Sequence, residues 1–597
     1  MPLSIYFTVP AAHGLVRFGS YSELERFLLT RSSCSYGYWN GYNRQLQLYG
    51  GPASFGPAVP GTLGSNVAAT TVTTAPSHSE TNNQVAGVDE LDTVKTDGQY
   101  IYTVSNNTVA IVDAYPAANA RLLSRISLVN QTIDGIFVEG NRLSIVSEAP
   151  KNPYSGSVYC GPLTMRASQM PLSHCFCYSP VQIQNTSISV YDLTSRSSPT
   201  LKTTVTTHGT FVGARLIGDL VYLVATTPAQ YNQTLPVTIV NGHASETLAT
   251  QIYHSDISDS AFSFTTVLAL NATLDDPSPN VQTYLLGTSS TIYVSLRTIF
   301  LTQPVWDGQG QTAIHRISID NSNISYEATG TVQGHVLNQY SMDENQGYFR
   351  VATSSSGISS SLETNVYVLD ENLRTVGRLE GLSPGELFYA ARFMGDRAYL
   401  VTYHNTDPLY VLDLHNPSSP TVLGSLIVAG YSDFLQPYDQ THLIGVGKVG
   451  VHTAVKVSLF NVTDPANPVE TATYTVSSGY SDSPALKDAK AVLFDKGNNL
   501  LVIPIDGPQY AYYQAASTST GQCSTGSSAY VFNVTPTNLT LRGRVTHQTL
   551  DNPFSCSSEY NISRELFIGG VLYTISDAMI KLSSLTDLTQ LGSVNLE

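Results

Sequence analysis

The sequence predicts an all-β fold in which one four-stranded unit is repeated along most of the chain. A first recurring element consists of an apolar run, a turn of Gly, Asp or Asn, and an alternating run that ends in a small residue. Two runs of period two around such a turn predict a β-hairpin. The clearest copies are residues 391–402 (ARFMGDRAYLVT) and 214–225 (ARLIGDLVYLVA), with looser copies at 92–105, 137–147, 492–504 and 566–576.

A second recurring element follows many of these hairpins: an apolar strand, an Asp or Asn, a polar turn often with Pro, and another strand. Its copies are residues 411–424 (VLDLHNPSSPTVLG), 190–202, 459–470 and 368–377. One hairpin and one such element give four antiparallel strands every ~40–50 residues, which is typical of a β-propeller blade. The units start near Asp92, Asp134, Thr210, Val281, Gly334, Gly385, Tyr431, Lys487 and Ser563.

We therefore predict a single large β-propeller over residues 86–597. Propellers usually have about four to eight blades, so we expect eight blades and allow nine. The alternative is a sandwich or two smaller β-domains, but no stretch that resembles an interdomain linker interrupts this region.

Residues 1–85 form a separate N-terminal part. Residues 21–30 (YSELERFLLT) have apolar residues at helical spacing, with Ser22 as a candidate N-cap and Glu25 three residues on, and they predict one short helix. Residues 37–51 are rich in Tyr, Asn and Gly and predict a loop. Residues 57–81 are mostly Pro, Ala, Thr and Ser and predict an extended arm.

The strand order gives the two faces of the propeller different characters. With strands A to D in each unit, the tight turns are A–B or C–D connections, and the long insertions are B–C or D–A connections. The long insertions therefore share one face, here called the insertion face, and loops on a rigid scaffold are where binding sites concentrate. They comprise residues 148–180, 226–260, 303–310, 354–362, 506–527 and 551–560, and they carry the candidate binding residues Tyr231, Tyr253, Tyr510, Tyr512 and Tyr513.

Composition narrows the class of partner. Only 12% of the residues are charged and the net charge is −16, without basic clusters, so nucleic acid is not expected as a ligand. No stretch of ~18 apolar residues predicts a transmembrane helix. The first residues lack the basic and apolar regions of a signal peptide, and we expect targeting segments to lie outside this sequence.

Six cysteines and ten Asn-x-Ser/Thr sequons together favour an extracellular or cell-surface protein. Cys523 and Cys556 fall in connections of adjacent units and are predicted to pair. Cys160 is predicted to bond either Cys175 or Cys177, which leaves the remaining cysteine for Cys34. The alternative is that the cysteines are free and buried.

The densest charge cluster is Asp89, Glu90 and Asp92, at the start of the first unit and near the centre of the ring. Three carboxylates in a chain so poor in charge indicate two alternatives, a structural Ca²⁺ or ion pairs with cations on other inner strands. We favour ion pairs, because the spacing is not that of an EF-hand loop. The candidate cations are Arg215, Arg392 and Lys490.

Other candidate constellations are weaker. The run Asp343-Glu344-Asn345 is predicted to fall in an A–B turn, where Asp and Asn serve turn geometry. The run His174-Cys175-Phe176-Cys177 lacks the fourth ligand of a closed zinc site. The chain contains no Gly-x-Ser-x-Gly nucleophile motif. A glycoside hydrolase would need two carboxylates, for which the channel offers Asp89 or Asp92 with Glu386.

Three long motifs resemble the secreted β-propeller-domain family of bacteria and archaea. They are residues 82–98 (NNQVAGVDELDTVKTDG), 338–353 (NQYSMDENQGYFRVAT) and 384–414 (PGELFYAARFMGDRAYLVTYHNTDPLYVLDL), and the resemblance runs from about residue 14 to the C-terminus. It implies a secreted or surface-anchored propeller distantly related to WD-type repeats, and it implies no activity. Two positions depart from the family pattern: Gln436 stands where YLHPYD has its His, and Ala489 stands where DHKA has its His.

These observations predict a secreted or cell-surface propeller that acts as a binding or scaffold module. Its partner would be an envelope protein or glycan that contacts the insertion face. The alternative is an extracellular hydrolase of polysaccharide with carboxylates in the central channel. Enzymatic activity is left open, with the binding module favoured.

Overall fold

The computed structural model describes fifteen ranges of the chain. They are residues 14–31, 76–150, 159–162, 175–178, 184–229, 235–254, 262–287, 289–305, 310–356, 362–403, 407–450, 453–476, 479–507, 526–548 and 557–597. Three short elements precede the repeated units: β1 (Val16–Arg17), α1 (Tyr21–Arg31) and β2 (Asp89–Glu90).

Three blades follow, each with four antiparallel strands that run A to D from the centre of the ring outward. Blade 1 comprises β3 (Val94–Thr96), β4 (Tyr100–Ser105), β5 (Thr108–Asp113) and β6 (Arg121–Ser127). Blade 2 comprises β7 (Thr132–Glu139), β8 (Arg142–Glu148), β11 (Asn185–Asp192) and β12 (Thr200–His208), with a hairpin of β9 (Tyr159–Pro162) and β10 (Cys175–Tyr178) in its B–C connection. Blade 3 comprises β13 (Thr210–Ile217), β14 (Leu220–Pro228), β18 (Ser263–Asn271) and β19 (Asn280–Leu286), with β15 (Val237–Val240), β16 (His243–Glu246) and β17 (Tyr253–His254) in its B–C connection.

Blades 4 to 6 follow the same order. Blade 4 comprises β20 (Thr291–Val294), β21 (Thr298–Val305), β22 (Gln311–Asp320) and β23 (Asn323–Gln333). Blade 5 has an interrupted inner strand, β24 (His335–Val336) and β25 (Met342–Asn345), followed by β26 (Tyr348–Ser356), β27 (Leu362–Leu369) and β28 (Thr375–Leu382). Blade 6 comprises β29 (Leu387–Met394), β30 (Arg397–Tyr403), β31 (Asp407–Asp413) and β32 (Thr421–Val428).

Blades 7 to 9 complete the ring. Blade 7 comprises β33 (Tyr431–Asp439), β34 (His442–Lys448), β35 (Val455–Asn461) and β36 (Val469–Thr475). Blade 8 comprises β37 (Leu493–Asp495), β38 (Leu500–Ile505), β39 (Ser528–Thr535) and β40 (Asn538–Val545). Blade 9 comprises β41 (Arg564–Ile568), β42 (Val571–Ile575), β43 (Met579–Ser584) and β44 (Gln590–Asn595).

The prediction of a single β-propeller is confirmed. The described residues form nine blade sheets, the larger of the two counts allowed, and the sheets of blades 2, 3 and 5 carry strands beyond the basic four. Nine apolar clusters each join one sheet to the next, and the cluster that contains Tyr573 and Val112 joins blade 9 to blade 1. Because blades pack on both faces, alternate residues of a strand enter opposite interfaces, as Leu500 and Leu501 do. Inner strands therefore read as continuous apolar runs.

The predicted start of the fourth unit near Val281 is wrong. Val281 lies in β19, the outer strand of blade 3, and blade 4 begins at Thr291. The long B–C insertion of blade 3 moved its second pair of strands far from its hairpin, so that the pair resembled a new unit.

The predicted helix is present, but its N-cap differs from the prediction. The Oγ of Ser20, not of Ser22, accepts a hydrogen bond from the Glu23 N–H (3.2 Å), and the Glu23 carboxylate accepts from the Gly19 N–H (2.6 Å). Leu24 and Leu28 then pack against Ile252 and Phe264 of blade 3. The helix is thus held against the rim of blade 3.

Candidate functional site in the central channel

Residues 76–92, here called the crossing segment, run through the centre of the ring. The segment adds β2 to the inner edge of blade 3 and makes isolated bridges to the inner strands of blades 9 and 2. The predicted boundary at residues 85 and 86 falls inside it. In chain order its partners are Phe567 of blade 9, Gln436 of blade 7, Gln339 of blade 5, Arg215 of blade 3 and Ile136 of blade 2.

Glu90 lies at the middle of the channel and is 1% exposed. Its carboxylate is 3.9 Å from Arg215 Nη2 and 3.8 Å from Lys490 Nζ, two of the predicted cations. Gln339 donates to this carboxylate (2.9 Å) and accepts from Arg215 (2.8 Å), so it bridges acid and base. Burial raises the pKa of Glu90, but Arg215 and Lys490, with hydrogen bonds from Gln84 and Gln339, hold the pKa below its ordinary value.

Asp92 binds a cation that the sequence analysis missed. Its Oδ1 accepts from Arg564 Nε at 3.0 Å, and Arg564 also binds Asp488 of blade 8. Burial lowers the pKa of Arg564, but Asp488 and Asp92 outweigh burial and raise it. Arg564 therefore ties the crossing segment to blades 8 and 9.

Asp89 pairs within the same stretch of chain. Lys95 Nζ lies 2.7 Å from Asp89 Oδ1 and also donates to the Glu90 carbonyl (2.7 Å) and to Thr81 Oγ1 (2.8 Å). The three neighbouring carboxylates thus share no cation: Asp89 pairs with Lys95, Glu90 with two cations, and Asp92 with Arg564.

Arg392 lies beside the channel and contacts an aromatic ring there. Its guanidinium carbon is 5.7 Å from the ring centroid of Tyr340, a channel residue next to Gln339. Burial lowers the pKa of Arg392 and raises that of Tyr340. Arg392 therefore contacts an aromatic face of the channel, and Tyr340, Asp343 and Glu90 oppose the effect of burial on its pKa.

This arrangement does not fit a Ca²⁺ site. Calcium needs several oxygen ligands that converge on one point. Here the oxygens of Asp89, Glu90 and Asp92 are directed to separate cationic or amide partners. Within the described ranges, no group of three His, Cys, Asp or Glu side chains is placed to hold a metal ion.

The two positions that depart from the family pattern lie beside the crossing segment. Gln436 accepts from Asn82 Nδ2 (3.2 Å), and Asn82 also donates to the Val492 carbonyl (3.3 Å) in blade 8. Ala489 packs in the same apolar cluster as Tyr340. At these positions the chain has an amide contact and apolar packing in place of imidazoles.

A second group of titratable residues lies on the insertion face of blades 7 and 8. This insertion-face cluster comprises Asp433, Lys448, Tyr480, Asp482 and Asp506. Lys448 Nζ lies 3.2 Å from Asp482 Oδ1 and 4.9 Å from the Tyr480 ring centroid. The backbones of Asp482 and Asp506 exchange two hydrogen bonds of 3.0 and 2.9 Å.

Both Asp433 and Asp506 have raised pKa values in this cluster. Burial raises the pKa of Asp433 to about 7, Lys448 opposes the rise, and Asp482 adds to it. Burial also raises the pKa of Asp506, opposed by Ser527 and increased by Asp482. Carboxylates whose pKa values are shifted by burial and by a nearby charge are common in functional sites. The sequence analysis missed this cluster because its residues are distant along the chain.

The acidic run at 343–345 is not a turn, as predicted, but the strand β25. Asp343 accepts from Arg350 Nε at 2.9 Å, and Glu344 accepts from Ser295 Oγ at 2.6 Å. Glu386, the proposed second acid of a hydrolase, accepts from Thr402 Oγ1 at 2.5 Å.

Most of the predicted insertion-face residues lie outside the described part of the chain. Tyr253 is described: it belongs to β17, and Arg17 lies over its ring at 4.5 Å, so it is part of the rim of blade 3. The backbone register of β9 and β10 places Cys177 opposite Cys160, and the disulfides themselves stay predictions. The undescribed residues are Cys34, His174, Tyr231, Tyr510, Tyr512, Tyr513, Cys523 and Cys556.

Comparison with known proteins agrees with this architecture. The profile of the Beta propeller domain family matches residues 78–588, from the crossing segment into blade 9. This chain belongs to that family. The propeller is 38% identical over 273 residues to an uncharacterised protein of Methanocaldococcus jannaschii, covering 45% of this chain and 38% of the relative. It is 26% identical over 519 residues to an uncharacterised protein of Archaeoglobus fulgidus, covering 74% of this chain and 78% of the relative.

Among solved structures, the propeller is similar to a putative 6-phosphogluconolactonase from Bacteroides uniformis, with 12% identity and a TM-score of 0.33. That match covers 55% of this chain and 90% of the other. In the described part of the propeller, no helix has the length and apolar character needed to cross a membrane.

Proposed function

We propose that the propeller is a secreted or cell-surface binding module that contacts a glycan of the cell envelope through its insertion face. The observation that carries the proposal is the insertion-face cluster. Lys448 and Asp482 there form an ion pair beside the half-buried ring of Tyr480. Carboxylates and a cation beside an aromatic face offer the hydrogen bonds and apolar surface that a sugar ring uses.

The channel supports a binding module over a hydrolase. A glycosidase needs one carboxyl group to protonate the leaving oxygen and a second to activate water or attack the sugar. Asp89, Glu90 and Asp92 are each engaged by a cation of the channel. The three acids stand on the crossing segment itself or at its end, and that segment contacts the inner strands of several blades.

Co-sedimentation with isolated cell envelopes tests this proposal. We expect the purified protein to sediment with envelopes treated with protease, and to stay in solution when the envelope sugars are oxidised with periodate. Binding that is lost after protease and kept after periodate would instead identify a protein partner and overturn the glycan proposal.

Substitutions in the insertion-face cluster, compared with a control on the opposite face, test whether this cluster contacts the envelope. Tyr480→Ala and Asp482→Asn should each weaken envelope binding about tenfold, the scale of one well-placed contact. Asp464→Asn is the matched control, because Asp464 lies in the exposed C–D turn of blade 7 on the opposite face. Release of reducing sugar ends that is abolished by Asp92→Asn, without loss of stability, would favour the hydrolase.

A further inference from the structure

The outer edges of two blades are covered by other parts of the same chain. In blade 2, β15 pairs with β12 over Val205–Thr207, and β16 extends the sheet further. In blade 3, β17 pairs with β19 at Tyr284 and Leu285, and β1 is added outside β17. Both covered stretches lack charged residues, and Lys202 of β12 lies outside the covered part. The outer strand of a blade is thus a site of strand addition in this fold.

Most of the remaining outer strands carry residues that oppose such pairing. Charged side chains on an edge strand discourage further strand addition. Five of the outer strands with no described partner carry them: Arg121 and Arg125 in β6, Glu327 in β23, Arg378 and Glu380 in β28, Glu470 in β36, and Arg542 and Arg544 in β40. The sixth, β44, has terminal amides at Gln590 and Asn595.

The outer strand of blade 6 lacks these features. β32 (TVLGSLIV) has no charged, amide or proline residue, and no described strand pairs with its outer edge. Val422 is 40% exposed and Ile427 is 69% exposed. An uncharged strand of eight residues with exposed β-branched side chains has a high tendency to accept another strand.

The sequence of β32 is also self-complementary. Its two ends are aliphatic, with Val422 and Leu423 on one side of the centre and Leu426 and Ile427 on the other, and its centre is small. Antiparallel pairing of two copies about a twofold axis near the centre brings aliphatic residues opposite aliphatic residues and small opposite small. Such cross-strand pairs stabilise a sheet, and a twofold interface requires this self-complementarity.

We propose that β32 pairs with the β32 of a second copy of this chain, so that two propellers form a twofold dimer through continuous eight-stranded sheets made from their sixth blades. The contact is made of backbone hydrogen bonds and aliphatic side chains. Since each chain carries a net charge of −16, added salt screens the repulsion between the two molecules and strengthens this uncharged contact.

Sedimentation velocity of the full chain over a range of concentrations tests the proposal. We expect a monomer–dimer equilibrium that shifts toward dimer as sodium chloride is raised from 0.05 M to 0.5 M. Ile427→Lys should weaken the dimer at least about tenfold, because it places two like charges in the pairing edge. The matched control is Val469→Lys in β36 of blade 7, also an exposed position on an outer strand, which should leave the association unchanged.

Hydrogen exchange of the unmodified protein gives a readout that does not depend on the variants. The amides of β32 should gain protection as the protein concentration rises, while those of β36 should not. A monomer at every concentration and salt, equal effects of the two lysine variants, or open-ended filaments in place of dimers would each overturn the proposal.

Discussion

Glu90 is the residue on which the contacts of the channel converge. A carboxylate that is almost fully buried loses several kcal/mol of hydration, and only close cations and hydrogen bonds offset that loss. Glu90 has two cations within 4 Å and donors from Gln84 and Gln339. In turn, the buried charges of Arg215 and Lys490 are neutralised by the Glu90 carboxylate.

Replacing Glu90 with Gln should therefore destabilise the protein by about 3–5 kcal/mol, because two cations stay buried without their anion. Chemical denaturation at neutral pH measures this free energy. The control is Glu327→Gln. Glu327 forms an ion pair with Arg316 (2.8 Å) near the surface, and its loss should lower the free energy of unfolding by no more than about 1 kcal/mol. Equal effects of the two variants would show that the channel does not need the charge of Glu90.

Asp433 and Asp439, on the same strand, should change stability with pH in opposite directions. Burial raises the pKa of Asp433 to about 7, while the unfolded value is about 3.9. Between those values the folded state binds more protons than the unfolded state, so stability falls as pH rises. Asp433→Asn should then stabilise the protein by about 2–4 kcal/mol at pH 8, and the gain should vanish near pH 4.

Asp439 should change the stability of the protein with pH in the opposite direction. Burial tends to raise its pKa, but hydrogen bonds from Thr441, His442 and Lys496 lower it to about 2. Its contribution to stability is present above the unfolded pKa and is lost as pH falls through 2. Asp439→Asn should destabilise the protein by about 1–2 kcal/mol at pH 7. Urea denaturation of both variants from pH 2 to pH 8 covers both titrations, and parallel curves for the two variants would refute the assignment.

The sequence identified only part of the channel network. Arg215 was found because it occupies a repeated position in the hairpin, and Lys490 because it was expected on another inner strand of the ring. Arg564 lies two residues before the recognised hairpin of the last unit, and Gln339 has no charge to mark it. Which cation meets which acid depends on the path of the crossing segment through the ring, and no local pattern encodes that path.

At the scale of elements, a glycine repeated on the outer strands forms a joint between blades. A Cβ at Gly330, Gly377 or Gly424 would clash with a carbonyl oxygen in the C–D turn of the following blade. These oxygens belong to Leu373, Pro417 and Pro465. The glycine that ends the second recurring sequence element, as in residues 411–424 and 368–377, is thus explained by close approach of two backbones.

Gly377→Ala should destabilise the protein by about 1–3 kcal/mol, since the added methyl group forces blades 5 and 6 apart. Gly592 occupies the corresponding position in blade 9, opposite Leu582 next to a register shift, and a Cβ there meets nothing within 4 Å. Gly592→Ala is therefore the control and should leave the melting temperature unchanged or slightly raised. Thermal unfolding of the two variants is the measurement. Equal losses of stability would show that glycine itself, and not its contact with the neighbouring turn, is what the outer strand requires.

Elements with a strong local pattern were predicted well, and those that depend on tertiary contacts were not. The hairpins at 214–225 and 391–402 are present with their turns. The helix carries two overlapping cap signals, Ser20 with Glu23 and Ser22 with Glu25, and the docking of Leu24 and Leu28 on blade 3 selects the first. The unit near Val281 was misplaced because an insertion separated the two halves of one blade.

At the scale of the whole molecule, each blade takes its four principal strands from consecutive parts of the chain, so no blade is shared between the two ends of the ring. Closure depends on the apolar contact of blade 9 with blade 1 and on the start of the crossing segment. Ser79 N–H donates to the Phe567 carbonyl (3.0 Å), Gly569 N–H donates to the Ser77 carbonyl (2.7 Å), and Tyr573 donates to the Ala114 carbonyl (2.6 Å). The start of the crossing segment therefore holds blade 9 in place, and we call this set of hydrogen bonds the clasp.

Ser79→Pro should open this clasp, because proline removes the N–H that binds Phe567 and cannot follow the edge of β41. We expect amide exchange to accelerate in blades 9 and 1, which flank the closure, and to change little in blades 5 and 6 on the far side of the ring. Ser79→Ala removes only the hydroxyl that accepts from Phe567 N–H (3.0 Å) and should give a smaller change in the same blades. Exchange that rises equally around the ring would mean that all nine interfaces unfold as one unit, and that the clasp has no local role.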